Sequence, residues 1–279
     1  MIEREHRFEG AEDLPIFYRE WLPDRGEPRG VVYILHGLSE HSGRYRHVAE
    51  ALTANGFVCF GIDQRGHGKS GGIRGYLPAP QLAVEDLGEL NTIAGAQFTG
   101  LPAFAFAHSM GSLIGLAFAL RYPDALHGLV TCGTPLHGEF ARPAWLVALC
   151  LKAAPSIPKL RLSPPGAPSV LTADADMLRE WLADPLVDRG MWRVGTSAAL
   201  IRLSRDIRRE AASIALPLLI MHGTGDRLAP ATGSEFLAAA VCSEDVTLKL
   251  YPDLRHELVN EVCRDEIIGD IREWLLQRA

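Results

Sequence analysis

What the 279-residue sequence lacks narrows it first. Its five cysteines are an odd number and include no C-x-x-C pair, so neither a disulfide framework nor a zinc site is expected. Cys59, Cys132, Cys150, Cys242 and Cys263 read instead as small buried hydrophobes in a reducing compartment. The longest uninterrupted apolar run, Ala144 to Leu151, has eight residues, whereas a membrane span needs about 20. The opening stretch MIEREHRFEG carries no apolar segment of the kind that marks a secretory signal. The expected location is therefore cytoplasmic, at most peripheral to a membrane surface. Basic charge is not in excess: 28 Lys and Arg stand against 34 Asp and Glu, a net charge of −6, which argues against a nucleic-acid partner. No repeat or low-complexity tract is present. At 47% hydrophobic and 22% charged residues, the composition is that of a globular protein able to bury its core without metal or disulfide.

What is present is an alternation of short β-rich runs and helical patterns, the signature of a mainly parallel sheet. The strand runs are Val31–His36, Phe57–Ile62, Ala103–Ala107, Leu126–Cys132, Leu216–Met221 and Val246–Tyr251, apolar enough to be covered on both faces. Helical patterns occupy Arg44–Asn55, Pro80–Ile93, Ser109–Arg121, Ser234–Ala240 and Asn260–Gln277, and Arg4–Phe8 with Ile16–Trp21 form an antiparallel hairpin ahead of them. The alternation breaks between Pro135 and Ala215, where eight of the 18 prolines fall. The expected organisation is an α/β core in two parts, 1–134 and 216–279, with 135–215 a helical cap on the edge where open α/β sheets bind ligands. Within the cap, Leu200, Leu203 and Ile207 share one helix face while Arg202, Arg205 and Arg209 share another.

Strand Ala103–Ala107 runs through His108, Ser109, Met110 and Gly111 directly into a helix. A serine on such a sharp turn presents its hydroxyl above the sheet, provided the residues two before and two after it are small. Ala107 and Gly111 are small, although the usual motif has glycine at both places. The alternative is that Ser109 only caps the helix, a role serine favours. Partners decide between the two. A serine nucleophile needs a histidine base that a carboxylate orients, and in this kind of fold they follow in the order Ser, acid, His, each after a later strand. Asp226 closes the run His222-Gly223-Thr224-Gly225-Asp226 after one strand, and His256 follows the next. Asp253 is the reserve acid, although three residues from His256 it is expected to share the loop and not face it. The expected catalytic residues are Ser109, Asp226 and His256. The backbone N–H groups of Met110, next to the nucleophile, and of Leu38, in the loop after strand Val31–His36, are the expected oxyanion hole.

Two motifs point elsewhere and fail. Gly66-His67-Gly68-Lys69-Ser70-Gly71 matches the dinucleotide fingerprint, with Asp86 at the distance of its ribose acid, but no helix opens at the last glycine. It also mimics a phosphate-binding loop ending in Gly-Lys-Ser, yet position 63, which should be glycine, is Asp63. His256-Glu257 begins a zinc-protease motif that Asn260 breaks. No cofactor and no metal is expected.

The run His36-Gly37-Leu38-Ser39-Glu40-His41-Ser42-Gly43-Arg44-Tyr45 resembles the oxyanion-loop signature of the monoacylglycerol lipase family. Asp63-Gln64-Arg65-Gly66-His67-Gly68-Lys69-Ser70 is similar to that family's second signature, and the likeness extends from about Tyr33 to Asn260. The resemblance implies an α/β-hydrolase fold with a helical cap and hydrolysis of monoacylglycerol to fatty acid and glycerol without a cofactor. Ala107, Ser39 where the family usually has Gly, and Gln64 where it often has His are departures that bear on substrate preference more than on activity. Other readings within the chemistry are a lysophospholipase, a short-chain carboxylesterase and an acyltransferase; a non-catalytic binding member of the fold is the reading from a different class. The expected partner is a lipid or ester; the apolar run Trp145–Leu151 either makes transient contact with lipid aggregates or packs on the sheet as the core of the cap.

Overall fold

A computed structural model describes residues 1–137, 143–163 and 167–279. In chain order the elements are β1 (Ile2–Gly10), β2 (Leu14–Leu22), β3 (Gly30–Leu35), α1 (Arg46–Thr53), β4 (Phe57–Ile62), α2 (Pro80–Gln97), β5 (Ala103–His108), α3 (Met110–Arg121) and β6 (Gly128–Cys132). They continue with α4 (Ala144–Ala153), β7 (Arg161–Ser163), α5 (Ala175–Ala183), β8 (Trp192–Arg193), α6 (Val194–Glu210), β9 (Leu218–Gly223), α7 (Thr232–Ala240), β10 (Val246–Tyr251) and α8 (Arg264–Leu276).

Eight strands form one sheet in the order β1-β2-β4-β3-β5-β6-β9-β10. The hairpin β1–β2 and its junction with β4 are antiparallel, and from β4 to β10 every pairing is parallel. The pleat sends alternate side chains of β3 into separate cores. Val31, Tyr33 and Leu35 pack with residues of α2, α3 and α7, while Val32 and Ile34 pack with residues of α1 and α8. Double coverage explains why these strands read as unbroken apolar runs. Strand β10 departs from the expectation of two covered faces: it lies at the sheet edge, and Leu248 and Leu250 remain substantially exposed.

Boundaries move where tertiary bonds or proline intervene. Pro217 lacks an N–H for the ladder, so β9 starts at Leu218, and the Pro217 carbonyl accepts from Leu129 N–H. Helix α8 starts at Arg264 and not at Asn260, because the Asn260 carbonyl accepts from Thr172 and the Glu261 carboxylate accepts the N–H groups of Ala173 and Arg255.

Between β6 and β9 the chain leaves the sheet for the excursion that carries α4, α5, α6 and the small β7–β8 ribbon. Its last helix is continuous with the core: Leu200, Leu203 and Ile207 of α6 join the cluster that contains α3, while Arg202, Arg205 and Arg209 face outward.

The glycine-rich loop after β4 is structural throughout. Asp63 accepts hydrogen bonds from the N–H and hydroxyl of Ser42 at 2.8 and 2.5 Å and from Lys69 N–H at 2.8 Å. Gly68 has φ +49°, and a Cβ there would lie 2.0 Å from an Asp63 carboxylate oxygen. Asp86, at the spacing of a ribose-binding acid, is instead buried in a two-point ion pair with Arg65, both contacts 2.8 Å. Removing one charge of a buried pair strands the other. Asp86→Asn is therefore expected to lower unfolding free energy by about 3–5 kcal/mol, read from urea denaturation; a loss below 1 kcal/mol, taken as about the scale of an exposed pair, contradicts this account.

Candidate active site

The turn between β5 and α3 forces Ser109 to φ 51° and ψ −115°, left-handed backbone that a non-glycine residue adopts at a cost of about 1–3 kcal/mol. Neighbouring bonds hold it there. Ser109 N–H donates to the Cys132 carbonyl at 2.9 Å, and the Ser109 carbonyl accepts from Ser112 N–H at 3.0 Å and from its hydroxyl at 2.6 Å. Gly111 is obligatory, since a Cβ would sit 2.2 Å from the Leu35 carbonyl oxygen. Ala107 is fully buried, and its methyl would stand in ordinary van der Waals contact, 3.4 Å, with a Cβ placed on Gly115.

Ser109 makes no capping bond to its helix. Its hydroxyl lies 2.9 Å from His256 Nε2, and His256 Nδ1 lies 2.6 Å from Asp226 Oδ2. A carboxylate only accepts, so Nδ1 carries the proton and Nε2 is left to accept from the serine, the tautomer a general base requires. The other Asp226 oxygen accepts the N–H groups of Leu228 and Ala229 at 2.8 and 3.0 Å. His222, on β9, adds a further contact that the sequence did not reveal: its Nε2 lies 2.8 Å from the Ala229 carbonyl and 3.2 Å from Asp226, so it is a donor there. Its Nδ1 then accepts from Ser234 at 2.7 Å. Asp253 stands exposed, with its N–H bonded to Thr224, and does not join this set.

Electrostatics follow from the contacts. Burial disfavours charge on Asp226, yet His256, the hydrogen bonds from His222 and His256, and the Ala229 N–H outweigh it and hold the carboxyl well below its ordinary range. Burial likewise pulls His256 down, but Asp226, then Glu257 and Glu40, raise it above the usual histidine value of 6.5. His108, with its ring 4.7 Å from that of His256, is pushed down to about 4 by burial and by His256, and is neutral.

Leu38 and Met110 both line the cavity beside Ser109. Met110 opens α3, where an N–H has no acceptor within the helix and the positive end of the helix dipole favours an anion. Next to Leu38, Ser39 has φ +76°, which accounts physically for the glycine usual at that position. Ser39 also ties the loop to the excursion: its hydroxyl accepts from Trp192 Nε1 at 3.2 Å and its carbonyl from Asp188 N–H at 2.8 Å.

The cavity measures about 300 Å³. The sheet side contributes Leu38, Ser109, Met110 and His256; the excursion contributes Leu146, Val147, Leu171, Trp181, Leu200 and Ile201. The run Trp145–Leu151 divides accordingly. Val147 is buried and Leu146 and Cys150 line the cavity, while Trp145, 69% exposed, and Leu149 face outward.

The family model described as serine aminopeptidase, S33, matches residues 26–262. A monoacylglycerol lipase of Mycolicibacterium smegmatis is 38% identical over 275 residues, covering 98% of this chain and 96% of the relative. The human monoglyceride lipase is 30% identical, with 96% and 89% of the two chains covered. Among solved structures, a monoacylglycerol lipase of Paleococcus ferrophilus superimposes with a TM-score of 0.84 at 28% identity over the whole of both chains.

The titration of His256 tests the electrostatic account. Its imidazole, followed by NMR, is expected to titrate above 6.5, and in Asp226→Asn its midpoint is expected to fall by on the order of one unit or more as burial prevails. A midpoint below 6.5 in the unaltered protein contradicts the account.

Proposed function

Because the chain belongs to the monoacylglycerol lipase family of α/β-hydrolases, we propose that it cleaves monoacylglycerols to fatty acid and glycerol through an acyl-enzyme on Ser109. The observation that carries this reading is the cavity of about 300 Å³ that joins the Ser109 hydroxyl to an apolar wall, since a fatty acyl chain needs apolar surface leading to the nucleophile. His256 Nε2 takes the serine proton as Oγ attacks the ester carbonyl. The N–H groups of Leu38 and Met110 receive the developing oxyanion, and Asp226 supports the imidazolium. His256 then protonates the departing glycerol oxygen and, in the second half, takes a proton from the water that releases the acid. The segment 135–215 serves as a cap that supplies the acyl wall; 138–142 and 164–166 within it lie outside the described residues.

Peptide hydrolysis, which the family model's description suggests, finds less support. An aminopeptidase needs an anion for the substrate's α-ammonium, and each carboxylate lining the cavity is already engaged. Glu40 and Glu257 bind Arg44, and Asp188 binds Arg161. The odd number of cysteines and the lack of a C-x-x-C pair support a reducing, cytoplasmic setting.

No described helix is long and apolar enough to cross a membrane. The excursion nonetheless exposes the apolar side chains of Trp145, Leu149, Leu160, Leu162, Leu182 and Met191, of which Leu182 lines the cavity, and these support transient contact with lipid. In Trp145→Ser with Leu149→Ser, binding to phosphatidylcholine vesicles is expected to weaken by about fivefold or more, while hydrolysis of a soluble butyrate ester is retained. Unaltered vesicle binding removes the membrane role.

Substrate preference is tested with 1-monooleoylglycerol, dioleoylglycerol, lysophosphatidylcholine, a butyrate ester and an aminoacyl anilide. The monoacylglycerol is expected to have the highest kcat/KM, and Ser109→Ala to lower kcat by on the order of 10⁶. Preference for the lysolipid or the butyrate moves the substrate and keeps the chemistry; equal rates with and without Ser109 refute the mechanism.

A further inference from the structure

Three fully buried charges lie beside the reacting groups without taking part in the steps above. Arg44 donates to Glu40 at 2.6 Å and, through both arms of its guanidinium, to Glu257 at 3.1 and 2.9 Å. All three side chains are more than nine-tenths buried. The carboxylates are otherwise saturated: Glu40 accepts the Gly37 N–H and the Tyr45 hydroxyl, each at 2.7 Å, and Glu257 accepts Asn260 Nδ2 at 2.7 Å. Burial opposes the charge on Glu257, but Arg44 and Asn260 hold the carboxyl down to about 2.

The connectivity has a direction. Gly37 immediately precedes Leu38, so Glu40 clamps the loop that offers one oxyanion donor. Glu257 immediately follows His256, and its own N–H is anchored on the Leu171 carbonyl at 2.8 Å. Arg44 therefore joins the two loops whose separation sets the distance between base and oxyanion donor. Its charge neutralises only one of the two carboxylates, which leaves one negative charge close to His256. A buried ion pair of this kind gains little stability over apolar packing, so stability alone does not account for it.

We propose that Glu40, Arg44 and Glu257 form a positioning unit: Arg44 fixes the oxyanion loop against the histidine loop, and the surplus negative charge supports the imidazolium that forms on His256. The inference rests on the reading of His256 as the base. Charged or titratable groups facing that imidazole are Asp226 from the β9–α7 connection, Glu257 from its own loop, Glu40 from the oxyanion loop and neutral His108 from the end of β5. From the excursion, the charged residues at the cavity are Asp188, paired with Arg161, and Arg189.

The two halves of the unit separate by substitution. The probe is a soluble butyrate ester, with kcat and KM measured across pH 5–9, a range of about two units on either side of the histidine midpoint. Glu257→Gln removes an anion and keeps the shape, so the rising limb of kcat/KM is expected to move down by on the order of half a pH unit. Glu40→Gln is expected to move it the same way and provides the charge test if the first variant does not fold. Arg44→Lys keeps the charge but loses the two-armed tie. The limb is expected to stay in place while kcat falls by about tenfold and KM changes by less than about twofold. An unmoved limb in the folded carboxylate variants overturns the charge support, and undiminished kcat in Arg44→Lys overturns the positioning. A flat profile in the unaltered protein overturns the reading of His256, and the inference with it.

Discussion

The turn at Ser109 is the constraint on which the rest of the molecule depends. A non-glycine residue at φ 51° is held only because the surrounding backbone leaves no alternative. Strand β5 delivers the chain from the middle of a sheet covered on both faces, Cys132 on the neighbouring strand fixes the Ser109 N–H, and Gly111 lets α3 pass against the Leu35 carbonyl. The same geometry turns the hydroxyl away from the capping role that serine would take at an ordinary helix start. It points the hydroxyl toward His256 and sets Met110, the first residue of α3, on the wall of the cavity.

Around that turn the chain concentrates polar groups that would be costly to bury singly. Asp226 and Glu257 each reach a partner on a different segment, His256 and Arg44 respectively, and are completed by nearer groups, while Glu40 is satisfied within its own loop by Gly37, Arg44 and Tyr45. Unpaired, any of these carboxylates would pay a desolvation penalty of several kcal/mol. Their mutual satisfaction links the loops after β3, β9 and β10 over the sheet, while the excursion between β6 and β9 supplies mainly apolar surface. A polar floor under an apolar wall suits an ester with a long acyl chain better than it suits a charged peptide.

Two families of sequence signal had different fates. Strands read from apolar runs agree with the structure to within two residues, since double burial leaves its mark on every position of the interior strands. Edges shifted where a proline removed a donor, as at Pro217, or where backbone groups were committed to distant partners, as at Asn260. The glycine-rich loop that imitates nucleotide-binding motifs is explained by local crowding: Gly68 lies against Asp63, and Asp86 is committed to Arg65. Spacing alone could not separate that loop from a phosphate cradle; the absence of a helix at its end could.

By itself the sequence determined the alternation of strands and helices, the order serine, acid, histidine in successive loops, and the small residues that an exposed serine turn demands. These are local properties: periodicity, spacing and side-chain size are carried by neighbours in the chain. Tertiary structure alone decided that His222 joins His256 on Asp226 and that Arg44 binds carboxylates 4 and 213 positions away in sequence. It also decided which side chains of the run Trp145–Leu151 face the cavity and which face solvent. Such pairings depend on how separate loops meet above the sheet, and a charge bears no sign in the sequence of whether it will be buried opposite its partner or left in water.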